Sequence, residues 1–151
     1  MNLSTKYFGS IDYDPEDVLS FPKGLFAYED EQAFLLLPFA GSNGTLLCLQ
    51  SMRTPGLAFV AMDPFALTAA YTPELSAEDL QTMEAETIRE LCFYVFCAVK
   101  NPVADSTVNL KCPVVINPHT HKAMQVILDS GAYGMRHLLS EFERQGAGIL
   151  C

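Results

Sequence analysis

Two apolar runs separated by a polar stretch, between Thr107 and Leu128, constrain the fold of this chain more than any other feature. The first run spans Val114 to Ile116, and the second extends from Met124 to Leu128. The intervening Asn117–Lys122 is dense in turn-forming residues, which is typical of a β-hairpin with a loop of a few residues. The pattern therefore predicts a structural scaffold and not a reaction centre.

Other apolar segments, each bounded by turn residues, extend this pattern along the chain. Ser4–Tyr13 predicts two short strands, and Thr45–Met62 predicts a hairpin that turns at Arg53–Gly56. Leu91–Val99 is compatible with a strand or a helix, and its aromatic and β-branched residues favour a strand. We therefore predict a mainly β fold, a small antiparallel β-barrel-like domain.

Helical signals occur at two places. Ser76 fits an N-cap for a short helix to Thr82, because Glu78 and Asp79 follow it in the first turn. Near the end of the chain, apolar residues at helical spacing predict a helix to about Gln145. These residues are Met135, Leu138, Leu139 and Phe142. We predict one domain over residues 1–151, with one or two short helices and a helical or frayed tail at 140–151.

Acidic residues outnumber basic ones by two to one. The chain has 18 Asp and Glu against 9 Lys and Arg, a formal charge of −9, and most of the acids fall within residues 12–31 and 74–90. Such a surface repels phosphate backbones, which disfavours direct binding of nucleic acid. It attracts a basic protein partner instead.

The cysteines indicate a reducing compartment. There are five of them, an odd number, without a C-x-x-C pair, and Cys48, Cys92 and Cys97 lie in apolar runs. The first residues contain no apolar segment of the signal-peptide kind, and no apolar run approaches the ~18 residues of a membrane span. We expect a cytoplasmic protein without a membrane segment.

Residues capable of catalysis form no recognisable motif. The chain contains no G-x-S-x-G, P-loop or G-x-G-x-x-G sequence. His119 and His121, with His137, leave open a small metal-dependent hydrolase, although two neighbouring imidazoles are fewer ligands than a metal site needs. An oligonucleotide-binding barrel that stacks bases on exposed aromatics is a second alternative, which the charge opposes. We predict no cofactor, no metal and no enzymatic activity.

A set of short segments, in their order and spacing, carries a resemblance to a known family. They are Thr5–Gly9, Phe21–Leu25, Leu35–Pro38, Leu49–Ser51, Leu57–Val60, Pro64–Phe65, Thr107–Leu110, Pro113–Asn117 and Gln125–Asp129. Together they resemble the flagellar assembly factor FliW family from about residue 4 to residue 139. The resemblance implies a non-enzymatic protein that binds the RNA-binding regulator CsrA and also binds flagellin. FliW released by exported flagellin would then bind CsrA and relieve its repression of flagellin translation.

The resemblance, together with the acidic charge, directs attention to the hairpin between Gln50 and Phe65 as a partner-binding surface. Gln50-Ser51, like Asn109, places polar groups in apolar surroundings, and a strand edge or face with such groups suits β-augmentation or a hot-spot patch. Two departures from the family pattern are Phe26-Ala27-Tyr28, where Pro-Gly-Phe is usual, and Thr54 beside Arg53 in the turn. The candidate contact residues are Gln50, Ser51, Leu57, Phe59, Met62, Pro64, Phe65, Glu78 and Asp79.

Overall fold

The computed structural model describes residues 1–42 and 44–142 and consists mainly of short strands. The strands are β1 (Asn2–Ser4), β2 (Ser10–Asp12), β3 (Leu19–Ser20), β4 (Ala33–Pro38), β5 (Leu46–Ser51), β6 (Ala58–Met62), β7 (Cys92–Ala98), β8 (Thr107–Val108), β9 (Val114–Asn117), β10 (Lys122–Gln125) and β11 (His137–Leu138). The helices are α1 (Pro64–Leu67) and α2 (Ala77–Thr82), with 3-10 turns at Pro15–Asp17, Ile88–Glu90, Val103–Asp105 and Leu139–Phe142.

Seven of these strands close into a barrel. The order around the ring is β7-β6-β5-β4-β3-β10-β9, and β9 returns to β7 through the pair Cys92↔Ile116. All neighbours are antiparallel except β3 and β10, which are parallel at Ser20↔Lys122. The strands β8 and β11 extend the sheet from the end of β7, and β1 pairs with β2 in a separate hairpin. The predicted antiparallel, barrel-like fold with one or two short helices is confirmed, and the structure contains two.

The segment from Thr107 to Leu128 contains the predicted hairpin. Strands β9 and β10 pair from Lys122↔Asn117 to Gln125↔Val114, and the side chain of Asn117 accepts the N–H of His119 at 2.9 Å inside the turn. The sheet ends earlier than the apolar pattern does. Val126 and Leu128 lie beyond β10 and donate to the carbonyls of Pro113 and Lys111, and their side chains are buried.

Alternation along the strands produces two cores. Residues from all seven ring strands form one cluster, which fills the barrel interior; its buried members are Leu19, Phe21, Leu25, Phe34, Leu49, Val114, Ile116 and Ala123. The second cluster lies on the outer face of the ring, where α1, α2 and the loops cover it; it includes Leu67, Tyr71, Met83, Phe93, Val95 and Leu110. On β7 the side chains of Tyr94 and Phe96 therefore point inward, while those of Phe93 and Val95 point outward.

Both helical predictions can be compared with the structure. The hydroxyl of Ser76 accepts the N–H of Asp79 at 3.0 Å, which confirms the cap of α2. The C-terminal helix was wrong as far as Phe142: residues His137–Leu138 form strand β11 on β8, and Leu139–Phe142 is a 3-10 turn. The helical spacing of the four apolar residues does not correspond to a buried helix face. Met135 and Leu138 are exposed, and only Leu139 is buried. The predicted continuation to Gln145 lies outside the described residues.

In the described part of the chain, no helix has the length and apolar character required to cross a membrane.

Candidate partner-binding surface

A loop between β3 and β4, residues 21–32, covers one end of the barrel, which we call the closed end. Leu25 inserts into the barrel core and is almost completely buried. Gly24 permits this turn, because its φ is +65° and an added Cβ would lie 2.5 Å from the carbonyl oxygen of Glu29. The N–H of Phe26 donates to the side chain of Gln125 at 3.0 Å and so anchors the loop to β10.

A carboxylate fastens the other side of this loop to the turn between β5 and β6. Glu31 accepts hydrogen bonds from the hydroxyls of Ser51 and, at 2.7 Å, of Thr54. The Ser51 hydroxyl in turn accepts the N–H groups of Arg53 and Thr54. The bond from Ser51 is the main reason that the pKa of Glu31 is lowered. Thr54 thus helps to hold the β5–β6 turn against this loop.

Gln50 organises the same region from the outer face of β5. Its Oε1 accepts the N–H of Lys6 at 3.0 Å, and its Nε2 donates to the carbonyls of Pro55 at 3.1 Å and Leu57 at 3.3 Å. Gln50 and Ser51 expose none of their surface, and Met62 and Pro64 are also buried. These four predicted contact residues have no surface to offer a partner. Their side chains shape the hairpin, and we correct their role to a structural one.

The other predicted contact residues lie on two different faces. Phe59 is half-buried at the closed end, where it stacks on Phe96 at 4.8 Å between ring centroids and supports Tyr28 at 5.4 Å. Phe65 is 42% exposed at the start of α1, over the outer core, and contacts Tyr71. The structure therefore does not unite them in one patch. Three further candidates have accessible surface: half-buried Leu57, exposed Glu78 and half-buried Asp79.

Two exposed aromatic residues at the closed end were not among the contact residues predicted from the sequence. Phe26 is 46% exposed and Tyr28 is 42% exposed, and the exposed acids Glu29 and Asp30 follow them directly. An aromatic pair within an acidic turn was the signal in the sequence. Aromatics beside carboxylates suit a basic protein surface and oppose the phosphates of an oligonucleotide, which weighs against the nucleic-acid alternative.

The histidines proposed for a metal site are far apart. His119 and His121 lie at the tip of the β9–β10 hairpin, near Cys92 at the start of β7. His137 pairs with Val108, which in turn pairs with Cys97 near the end of β7. Cys92 and Cys97 are five residues apart along this strand, a distance of roughly 16 Å. His137 also contacts Glu141 at 3.1 Å and accepts the N–H of Gly134 at 2.8 Å. Among the described residues, no three His, Cys, Asp or Glu side chains are grouped to hold a metal.

The described cysteines are free thiols, and burial makes them poor nucleophiles. Burial raises the pKa of Cys48 to about 11 and that of Cys97 to about 12. The pKa values of Cys92 and Cys112 are raised for the same principal reason. A protonated thiol neither attacks a carbonyl nor binds a metal well. These side chains therefore act as small apolar residues of the core.

These features define a class: a small closed β-barrel with exposed aromatic and acidic residues on its surface. The comparisons with known proteins specify the class further. A family model described as FliW protein matches residues 2–139. The chain belongs to the FliW family of flagellar assembly factors.

Relatives match over nearly the whole chain. The flagellar assembly factor FliW of Geobacillus sp. (strain WCH70) is 35% identical, over 92% of this chain and 95% of that protein. The protein of the same name from Thermoanaerobacter pseudethanolicus is 34% identical, over 93% of this chain and 94% of its own. A crystal structure of a flagellar assembly factor FliW superposes with a TM-score of 0.85 at 32% identity, covering 92% of this chain and 96% of the other.

Proposed function

We propose that this protein is a non-enzymatic, cytoplasmic binding protein with two competing partners, the translational regulator CsrA and flagellin. When flagellin is abundant it occupies the protein, and CsrA is left free to repress flagellin translation. When flagellin is exported, the freed protein binds CsrA and relieves the repression. Since the two ligands oppose each other through one protein, the system returns flagellin to a set level.

The observation that carries this proposal is the match to the FliW family along residues 2–139. The net charge of −9 supports it, because an RNA-binding regulator is basic and is attracted to an acidic surface. Exposed Phe26 and Tyr28 beside Glu29 and Asp30 add an aromatic anchor next to that charge. The raised pKa values of the thiols and the dispersed histidines support a role in binding over one in catalysis.

Calorimetric titration with the CsrA of the same organism tests the proposal directly. We expect saturable binding that weakens as salt rises, because opposite charges are screened. A second titration, performed after saturation with flagellin, should show no heat of CsrA binding. Binding of CsrA that is unaffected by flagellin would contradict the competition, and binding of neither protein would contradict the proposed function as a whole.

A further inference from the structure

The end of the barrel opposite the closed end is open. A cavity of about 200 Å³ enters the barrel there, between the start of β3, the end of β4 and the start of β7. Most of its walls are apolar or weakly polar side chains of the barrel interior, namely Leu19, Leu36, Cys92, Tyr94 and Ile116. The remaining lining residues are Asp17, Pro118 and His121. This volume accommodates one bulky apolar side chain, and the cavity is too small for most drug-sized ligands.

A second cavity of about 360 Å³ adjoins the first and shares Asp17, Leu36 and His121 with it. It runs along β4 from Leu35 to Leu37 and faces the carboxylate residues Asp12, Asp14 and Asp17. In the described part of the chain, neither cavity is lined by a lysine or an arginine. We call the two cavities together the edge groove.

The hydrogen bonds of β4 show which of its backbone groups face this groove. Phe39 donates to Leu46 at 3.1 Å and Met52 donates to Ala33 at 3.0 Å, so odd-numbered residues of β4 point toward β5. Phe21 donates to Gln32 at 2.9 Å, so even-numbered residues point toward β3. The N–H and C=O of Leu36 therefore point to the β3 side.

Strand β3 is too short to pair with Leu36. Its register with β4 covers only Leu19↔Phe34 and Ser20↔Ala33, and the position opposite Leu36 in that register is Asp17, the last residue of the 3-10 turn Pro15–Asp17. Within the described residues, no strand pairs with β4 from Leu35 to Pro38 on this side. Pro38 is tolerated in β4 for the same reason, because its missing N–H faces the unpaired edge. An unpaired strand edge is a template for an added strand.

We propose that the edge groove binds an extended segment of the basic partner as an additional strand on β4. The added strand would exchange hydrogen bonds with the N–H and C=O of Leu36. Because neighbouring side chains of a strand point to opposite faces, the segment would insert a bulky apolar side chain into the barrel mouth. It would place an adjacent lysine or arginine against Asp12 and Asp17. This inference rests on the proposed function for the identity of the basic partner, CsrA.

Charge reversal within the groove tests the assignment by calorimetry with CsrA. The double variant Asp12→Lys/Asp17→Lys changes the net charge from −9 to −5. Asp105→Lys/Asp129→Lys makes the same change at two exposed acids outside the groove, so it separates local from overall charge. We expect the groove variant to bind CsrA about tenfold more weakly than the control variant does. Equal weakening in both variants would overturn the proposal.

Amide exchange in the unmodified protein provides a second test that does not depend on a variant folding. In the complex with CsrA, exchange of the Leu36 amide should slow by at least about tenfold, since it gains a hydrogen bond. The Leu37 amide already faces β5 and should change little. An unprotected Leu36 amide in a complex that does form would overturn the added strand and leave the proposed function intact. Failure of the unmodified protein to bind CsrA would overturn both.

Discussion

Gln50 accepts a hydrogen bond from the backbone N–H of Lys6 at 3.0 Å and so ties the loop of the N-terminal hairpin to the barrel wall. The same carboxamide donates to the carbonyls of Pro55 and Leu57 on the β5–β6 turn. One buried side chain thus forms hydrogen bonds with backbone groups of two separate loops. These hydrogen bonds explain why a polar side chain is buried in an otherwise apolar strand.

Replacing Gln50 with leucine should destabilise the protein strongly. Leucine preserves the volume but removes the acceptor of the Lys6 N–H and the side-chain donor to the Pro55 carbonyl, at a cost of about 3 kcal/mol. The free energy of unfolding in urea measures this loss. Gln81→Leu, on the exposed face of α2, is the matched control and should change it by less than about 0.5 kcal/mol. Equal effects in the two variants would show that the Gln50 bonds contribute nothing net.

The carboxylate of Glu31 should make the free energy of unfolding depend on pH in the acidic range. Its pKa is lowered from 4.5 by the Ser51 and Thr54 hydroxyls, so its contribution is present above pH 4.5 and is lost as the pH falls through the folded-state value. Because this carboxylate is half-exposed, we expect Glu31→Gln to cost only about 1 kcal/mol at pH 7.

The measurement is the free energy of unfolding of both proteins from pH 7 to pH 3. The difference between them should shrink below pH 4.5, where the unfolded-state carboxyl becomes protonated. Glu29→Gln, at an exposed neighbour in the same loop, should follow the unmodified protein throughout. A difference that stays constant with pH would rule out the Glu31 carboxylate as its source.

Two glycines share a φ of +65°, so alanine variants at these positions distinguish the cost of backbone strain from the cost of steric overlap. At Gly24 an added Cβ would lie 2.5 Å from the Glu29 carbonyl oxygen, whereas at Gly9 it meets nothing within 4 Å. Gly9→Ala should therefore cost about 1 kcal/mol from strain alone, and Gly24→Ala about 3 kcal/mol. Thermal and urea unfolding measure both losses. Equal losses would mean that the loop relaxes without cost around Gly24.

Charge reversal at the acidic residues of α2 provides a separate test of the proposed function. Glu78→Lys with Asp79→Lys should weaken CsrA binding and reduce its dependence on salt, because both effects follow from the same charges. Titration at two salt concentrations measures them, with Asp105→Lys/Asp129→Lys as the variant of equal net charge. An affinity equal to that of this control would remove α2 from the interface.

Much of the fold was predictable because it follows from local rules. Alternating apolar residues and turn formers predicted the hairpins β5–β6 and β9–β10, and Ser76 predicted the start of α2. The tail was predicted incorrectly from Met135 to Phe142. There, pairing of His137 with Val108 on β8 outweighs a helical spacing that buries only Leu139. A short segment takes the structure that its neighbours stabilise.

The candidate surface was predictable only in part. Residue types alone could not distinguish Gln50, which is buried among backbone carbonyls, from Phe65, which is exposed on α1. The sequence by itself determined the strand-rich architecture, the acidic charge and the family, since these depend on composition, periodicity and the order of segments. Only the tertiary structure decided which polar groups are buried and that β4 keeps an unpaired edge at Leu36. Both depend on strands distant in sequence that meet when the barrel closes.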